Sequence, residues 1–350
     1  RQAFRELRSK TYRELVEHFK GKRYATPEMQ LRGPIIPLKP IAADERYLIS
    51  ELACKAYEPI EEGEDPLILA ELLKAFKSAG AGKVRLGEIA KAASSANQEN
   101  LQVQLCLPLG ASEFEDEEVS SETEIKKHVS AVLEKFRRAR EGAVTNTKTY
   151  LSICNELDVY VATSMRTRDD FRQMARNCAT IFEDDRLKPL HLRYFDPTMS
   201  AAHCHEDKGL IECLMVNRAK CIVYFAQEKE SWGKDAEAAM GLSLGKPVVI
   251  YCPPTDEGKK RMKLFRDIHP LSRLIDVRTG LAVGAMITDD LTLVVKLLER
   301  LFYNKMQYLL ENDSHGYFRL KERLTSSTVR LSTNDAMIRE TFWNYYHGVV

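Results

Sequence analysis

The sequence predicts an α/β protein: a doubly wound, mostly parallel sheet with an α-helical N-terminal domain before it and a helical C-terminal extension after it. Three observations carry that expectation. Between residues 157 and 302, apolar runs of strand length alternate with segments of helix length, joined by short links. The central runs, 219–226 and 248–252, are almost wholly apolar, as strands are when both faces of a sheet are covered. Upstream of residue 150 the apolar positions recur at helical spacing instead.

Composition narrows the class. The 350 residues amount to about two domains. Hydrophobic residues make up 44% and charged residues 29%, which excludes collagen, bulk disorder and a disulfide mini-scaffold. The 52 Lys+Arg nearly cancel the 51 Asp+Glu, so the chain as a whole gives no case for nucleic-acid binding, which shows as a basic domain. No apolar stretch approaches the roughly 18 residues of a membrane span, and no signal-peptide core follows Arg1. A chain that opens on Arg1 is expected to come from a longer natural protein. Eight cysteines, with Cys221 and Cys252 inside apolar runs and no CxxC, point to reduced thiols in a cytoplasmic protein.

The elements follow in order. Residues 1–23 carry eight Arg and Lys against three Glu on a helical pattern. A solvated helix face accounts for them, and they are also where a regulatory protein or a protein–nucleic-acid partner is expected to dock. Four prolines make 25–42 an extended connector. Leu67, Leu69, Leu72, Leu73 and Phe76 share a helical stripe. The breaker 79–82 follows, and 84–93 opens another helix in a pattern common to small winged-helix units and to any helical bundle. The acidic run 113–124 reads as a mobile surface linker. Ile125, Val129, Val132, Leu133 and Phe136 then define an amphipathic helix ending near Arg140, with a break at 142–146.

The texture changes at Leu157, and the domain map is 1–150, 157–302 and 303–350. Strands are expected at 157–163, 189–195, 219–226, 248–252 and 274–277. Helices are expected at 170–182, 207–218, 236–244 and 292–310, and the tail 311–350 reads as helical.

Ligands of open parallel sheets bind beyond the carboxyl ends of the strands, so the strand-to-helix turns are the candidate sites. The first turn, Thr163-Ser-Met-Arg166, has no glycine, which removes the dinucleotide fingerprint and the P-loop. No GxSxG elbow occurs. His203-Cys-His205 with Cys213 lacks finger spacing and is expected to serve in a loop or cap, so no metal ligands are assigned. The third turn, 227–237, leads through Ser231, Trp232, Gly233 and Asp235 to Glu237 in the opening of a helix rich in small residues. Taken alone, Glu237 also fits an exposed residue favoured near a helix N-terminus.

A larger pattern includes these turns. A strand ends in Tyr160-Val-Ala-Thr-Ser164, a second in Tyr194-Phe-Asp-Pro197, and Asp207 enters a helix before Cys221-Ile-Val-Tyr-Phe225. Gly233, Glu237 and Gly245-Lys-Pro-Val-Val-Ile-Tyr251 close it. Residues 157 to about 300 thereby resemble the nucleoside 2-deoxyribosyltransferase family and, more distantly, the NAD-cleaving Toll/interleukin-receptor domains. The resemblance implies a flavodoxin-like sheet with Glu237 as the catalytic carboxylate. It also implies a substrate site built from Tyr160, Thr163, Ser164, Arg166, Asp196, Asp207, Trp232, Gly233 and Asp235. Trp232 and Tyr160 would stack on the leaving base, and Arg166 and Arg168 would reach phosphates. The chain departs from the family at Lys234, Lys220 and Thr163-Ser164, which weighs against a free deoxynucleoside substrate.

The function so implied is hydrolysis of NAD or a related nucleotide by an N-glycosidase. A helical adaptor would restrain it, as in toxic effectors of bacterial anti-phage defence. NAD is then a substrate and no cofactor is expected. A carboxylate suits the reaction because breaking an N-glycosidic bond builds oxocarbenium character at the anomeric carbon. A deoxyribosyltransferase of salvage metabolism and a non-catalytic nucleotide-sensing module are the alternatives. No membrane partner is expected, and the sequence is compatible with a homo-oligomer.

Overall fold

A computed structural model describes residues 37–337, apart from 60, 81, 115, 228–229, 278–280, 313–316, 334 and 336. The basic run 1–23, most of the proline-rich connector and the end of the C-terminal tail lie outside the described residues.

The N-terminal layer is helical. It comprises α1 (Glu51–Tyr57), α2 (Leu67–Ala79), α3 (Leu86–Ala96), α4 (Leu101–Gly110) and α5 (Glu122–Ser152), with a two-strand ladder of β1 (Val84–Arg85) and β2 (Glu118–Val119). The acidic run expected as a mobile linker is part of this layer. Phe114 and Val119 are buried, Val119 pairs with Val84, and Glu113 meets Lys135 at 3.2 Å and Arg168 at 3.3 Å. Two apolar anchors and nearby cations hold a segment whose charge alone suggested a solvated strap.

The break expected at 142–146 does not occur. The buried stripe Ile125, Val129, Val132, Phe136, Ala139 continues through Ala143, Asn146, Thr147 and Tyr150, so α5 has a core-facing side along its whole length. Asn146 receives the Lys39 N–H at 2.6 Å and donates to Met199 O at 3.0 Å, and Thr147 donates to Ala201 O at 2.7 Å. These side chains bind the end of α5 to the loop after β4 (Tyr194–Phe195). Phe171, Met199 and Ala201 accordingly share the apolar core of the helical layer.

The parallel sheet contains β3 (Val159–Ala162), β4, β5 (Cys221–Phe225), β6 (Val248–Tyr251) and β9 (Met286–Thr288), in the order β4-β3-β5-β6-β9. Val159, Val161, Val223 and Phe225 face α6 (Arg168–Phe182) and α10 (Leu291–Phe302). Tyr160, Ala162, Ile222 and Tyr224 face α7 (His205–Arg218), α8 (Trp232–Ser243) and α9 (Asp256–Asp267). Helices thus cover both faces, which is why the strands are apolar throughout. The expected helix at 292–310 stops at Phe302, where Asn304 takes a positive φ of 53°.

The helical C-terminal extension is corrected to β structure where it is described. β10 (Tyr308–Asn312), β11 (Tyr317–Glu322) and β12 (Thr328–Thr333) join β8 (Ala282–Val283) and β7 (Leu274–Ile275) in an antiparallel sheet, in the order β10-β11-β12-β8-β7. Residues 274–277, expected in the main sheet, contribute to this second one. Alternating residues such as Phe318-Arg-Leu-Lys321 suit a period of two. Val329 enters the core of the parallel sheet, and Ser327 accepts the Ile287 N–H at 3.0 Å.

Gly284 makes that junction feasible. A Cβ there would lie 2.5 Å from Thr328 O and 2.8 Å from Ser272 O, both backbone atoms that cannot swing aside. Gly284→Ala is therefore expected to destabilise the fold by about 1–3 kcal/mol in thermal or denaturant unfolding. An unchanged melting curve would show that the two sheets separate at no cost.

Candidate active site

The strand order places the topological switch between β3 and β5, because the chain leaves β3 outward to β4 and then crosses back to β5. Gln227, just past β5, bridges the two strand ends. Its carboxamide oxygen accepts from Ser164 N at 2.7 Å, from Thr163 Oγ1 at 3.2 Å and from Lys234 Nζ at 3.2 Å, while its nitrogen donates to Ser164 O. Lys234 is 2% exposed, donates to Phe225 O at 2.9 Å and lies over the Tyr224 ring at 5.0 Å. Burial, helped by the charge of Arg261, pulls its ammonium down to about 8.

Beneath this bridge, Glu237 projects from α8 toward β3 and α7. Tyr160 donates a hydrogen bond to the carboxylate, and Glu212, Lys208 and Lys234 act on it electrostatically. Its Oε2 atom is buried without a hydrogen-bond partner among the described residues. Burial first, then the negative charge of Glu212, pushes the carboxyl up to about 8, while Tyr160, Lys208 and Lys234 pull the other way. Glu212 is itself raised by burial. At neutral pH Glu237 is thus a neutral acid held among ionisable neighbours, an arrangement concentrated at functional sites.

A cavity of about 450 Å³ opens at the carboxyl ends of β3 and β4, between Met165 and Pro197 of the sheet side and Cys54, Glu58 and Arg140 of the helical layer. Lys208, at the start of α7, lines it and also acts on Glu237, which does not line it itself. Lys55, Arg140 and Lys208 line it together with the carboxylates Glu51 and Glu58.

The other expected site residues separate into groups. Thr163 and Ser164 lie at the switch, held by Gln227. Arg166 is exposed and donates to Glu230 O at 2.9 Å, spanning the same loops. Tyr160 is buried with its ring stacked on Phe195, centroids 5.4 Å apart, so it offers no face to a base and serves Glu237 through its hydroxyl. Asp196 is likewise not open to a ligand: it is buried, paired with Arg46 at 3.0 Å and bonded to Thr198. Trp232 is 87% exposed at the start of α8, and Gly233 beside it is open, where a Cβ would meet only Ser231 Oγ at 4.0 Å. Asp235 accepts from the Tyr224 hydroxyl at 2.7 Å and faces His269, apart from the Tyr160 and Glu212 side that Glu237 takes. Asp207 is exposed in the first turn of α7, which is capped by Cys204, and His205 meets Glu51 at 2.8 Å. Among the described residues no group of three or more His, Cys, Asp or Glu is placed to hold a metal ion. None of their helices is long and apolar enough to cross a membrane.

Sequence reasoning did not assign Gln227, Glu212 or Arg46, and it read Lys234 only as a departure. The signal for Lys234 was its place one turn before Glu237 on a helix whose neighbours are small, where a long side chain folds inward. No family model, curated protein or solved structure matches this chain.

Proposed function

We propose that the protein is an N-glycosidase that hydrolyses NAD or a related nucleotide at Glu237, on a flavodoxin-like doubly wound sheet. One observation carries the reading: a buried carboxyl with an unpartnered oxygen, raised to about 8, on the helix that follows the strand at the topological switch. Ionised Glu237 attacks C1′ of the ribose attached to nicotinamide. The C1′–N bond breaks with its electron pair going to the ring nitrogen, and neutral nicotinamide leaves. Water then attacks C1′, releases a proton to solvent and regenerates the carboxylate, leaving ADP-ribose. A cationic nicotinamidium beside Glu237 favours the ionised carboxyl, so the substrate itself would draw the proton off.

Access fits a regulated effector. Glu237 lies off the cavity wall, and the helical layer forms one side of that cavity, so a partner that shifts α7 or the layer would control exposure. The same shielding favours a second reading, a nucleotide-binding module without turnover.

The test is incubation with NAD and a panel of nucleotides, with released bases resolved by chromatography. If Glu237 must be ionised in the free protein, kcat/KM rises with pH toward a plateau above an apparent pKa of about 8. The limb in kcat falls lower, because bound cationic substrate stabilises the carboxylate. A kcat/KM that instead declines through pH 8 would make Glu237 the proton donor.

A further inference from the structure

We propose that the cleft between the C-terminal antiparallel sheet and the α/β unit binds the phosphodiester backbone of a single-stranded nucleic acid. The cleft, about 650 Å³, is lined among the described residues by five cations, Arg266, Arg273, Arg319, Lys321 and Arg330, against one carboxylate, Glu311. Among the described residues, Lys321 meets Glu311 at 2.7 Å and Arg330 approaches Asp276 at 3.8 Å, and the lining cations outnumber these two acids. The chain as a whole is only +1, which makes this a local concentration and not a background.

The arrangement along β11 distinguishes a strand from a single phosphate. Tyr317, Arg319 and Lys321 alternate with Phe318 and Leu320, so the first three share one face of the sheet. Arg319 and Lys321 therefore stand about 7 Å apart, a spacing that suits successive phosphates of an extended strand. Tyr317, 37% exposed at the end of the row, offers a ring on which a base can stack, and the Arg319 guanidinium lies 5.9 Å from its centroid. A cationic track beside an aromatic platform on a β-sheet is the combination that holds single strands without reading their sequence. Ser272, Ser326 and Thr328 add hydroxyl groups along the walls. The site is independent of Glu237 and needs no catalysis.

The experiment is fluorescence anisotropy of the full chain with labelled oligo-dT and oligo-U of about twelve nucleotides across a salt series. Combining Arg273→Ala, Arg319→Ala and Lys321→Ala should weaken binding at least about tenfold and flatten the salt slope by about 0.7 for each phosphate left without its cation. Tyr317→Leu should weaken it about tenfold with the salt slope unchanged. Melting curves of each variant confirm the fold, and Arg273→Glu at an exposed position provides a variant with little folding risk. Lys83→Ala with Arg85→Ala, on the helical layer, removes charge elsewhere and should leave binding unchanged. Absence of oligonucleotide binding overturns the proposal. So does equal weakening by the Lys83/Arg85 variant, tighter binding of a duplex, or polyglutamate binding as tightly as the oligonucleotide.

Discussion

Glu237→Gln is expected to abolish base release and to stabilise the protein in the same stroke. The catalytic loss should be at least about a hundredfold, the scale on which removing a preorganised charge at a transition state operates. The gain in stability follows from the proton. Unfolded Glu237 ionises near 4.5, whereas burial holds the folded group neutral up to about 8. The folded state therefore binds an extra proton between those values, and stability is lost as pH rises through that window. At pH 7 the loss amounts to about 3 kcal/mol at most. The Gln variant carries no such penalty, so its advantage over the natural protein should be absent at pH 4.5, grow with pH, and level off above pH 8. Thermal unfolding across that range measures it. A stable but inactive variant is the signature of a group kept for chemistry at the expense of the fold. Two outcomes count against the assignment. If Glu237→Gln retains turnover while Asp235→Asn is dead, the reacting carboxylate is Asp235, now bonded to Tyr224. If the natural protein releases no base from any nucleotide tested, the sensing module replaces the enzyme.

The sequence announced the parallel sheet because burial on both faces leaves only apolar residues, and 221–225 and 248–251 have no other use for that composition. It also placed Glu237 on the helix after the most apolar strand. Three things escaped it for separate physical reasons. The strands from Tyr308 to Thr333 are mostly exposed or half-buried and mix charged with apolar residues, so they lack the solid apolar run that marked the parallel sheet. The helix Asp256–Asp267 is mostly charged and buries only Gly258, Arg261 and Phe265, too few to mark a stripe. The surroundings of Glu237 depend on contacts between Tyr160, Glu212 and Lys234, residues far apart in the chain and individually ordinary. Asp196 failed as a ligand residue for the same reason: its partner is 150 positions away.

That partner supplies the second large effect. Arg46 Nη1 meets Asp196 Oδ2 at 3.0 Å and Thr198 Oγ1 at 2.8 Å, with both charged side chains largely buried. The pair joins the helical layer to the loop after β4, which leads into the cavity wall at Pro197 and Ser200. Arg46→Met keeps the length of the side chain and removes the charge. Asp196 is then a buried carboxylate with its Thr198 bonds but no counter-charge, and such a loss costs about 3–5 kcal/mol. Burial already raises the Asp196 carboxyl despite Arg46. Without Arg46 it rises further, so the deficit should be largest at neutral and alkaline pH and shrink as acid protonates the group. Adding Asp196→Asn removes the orphaned charge while keeping a polar partner for Thr198. The double variant should therefore recover much of the stability lost by Arg46→Met alone, giving a coupling of several kcal/mol in a double-mutant cycle. Denaturant unfolding at pH 5 and pH 8 measures both terms. If Arg46→Met costs under about 1 kcal/mol at pH 8, water reaches Asp196 and the junction between the helical layer and the sheet is looser than this buried pair implies.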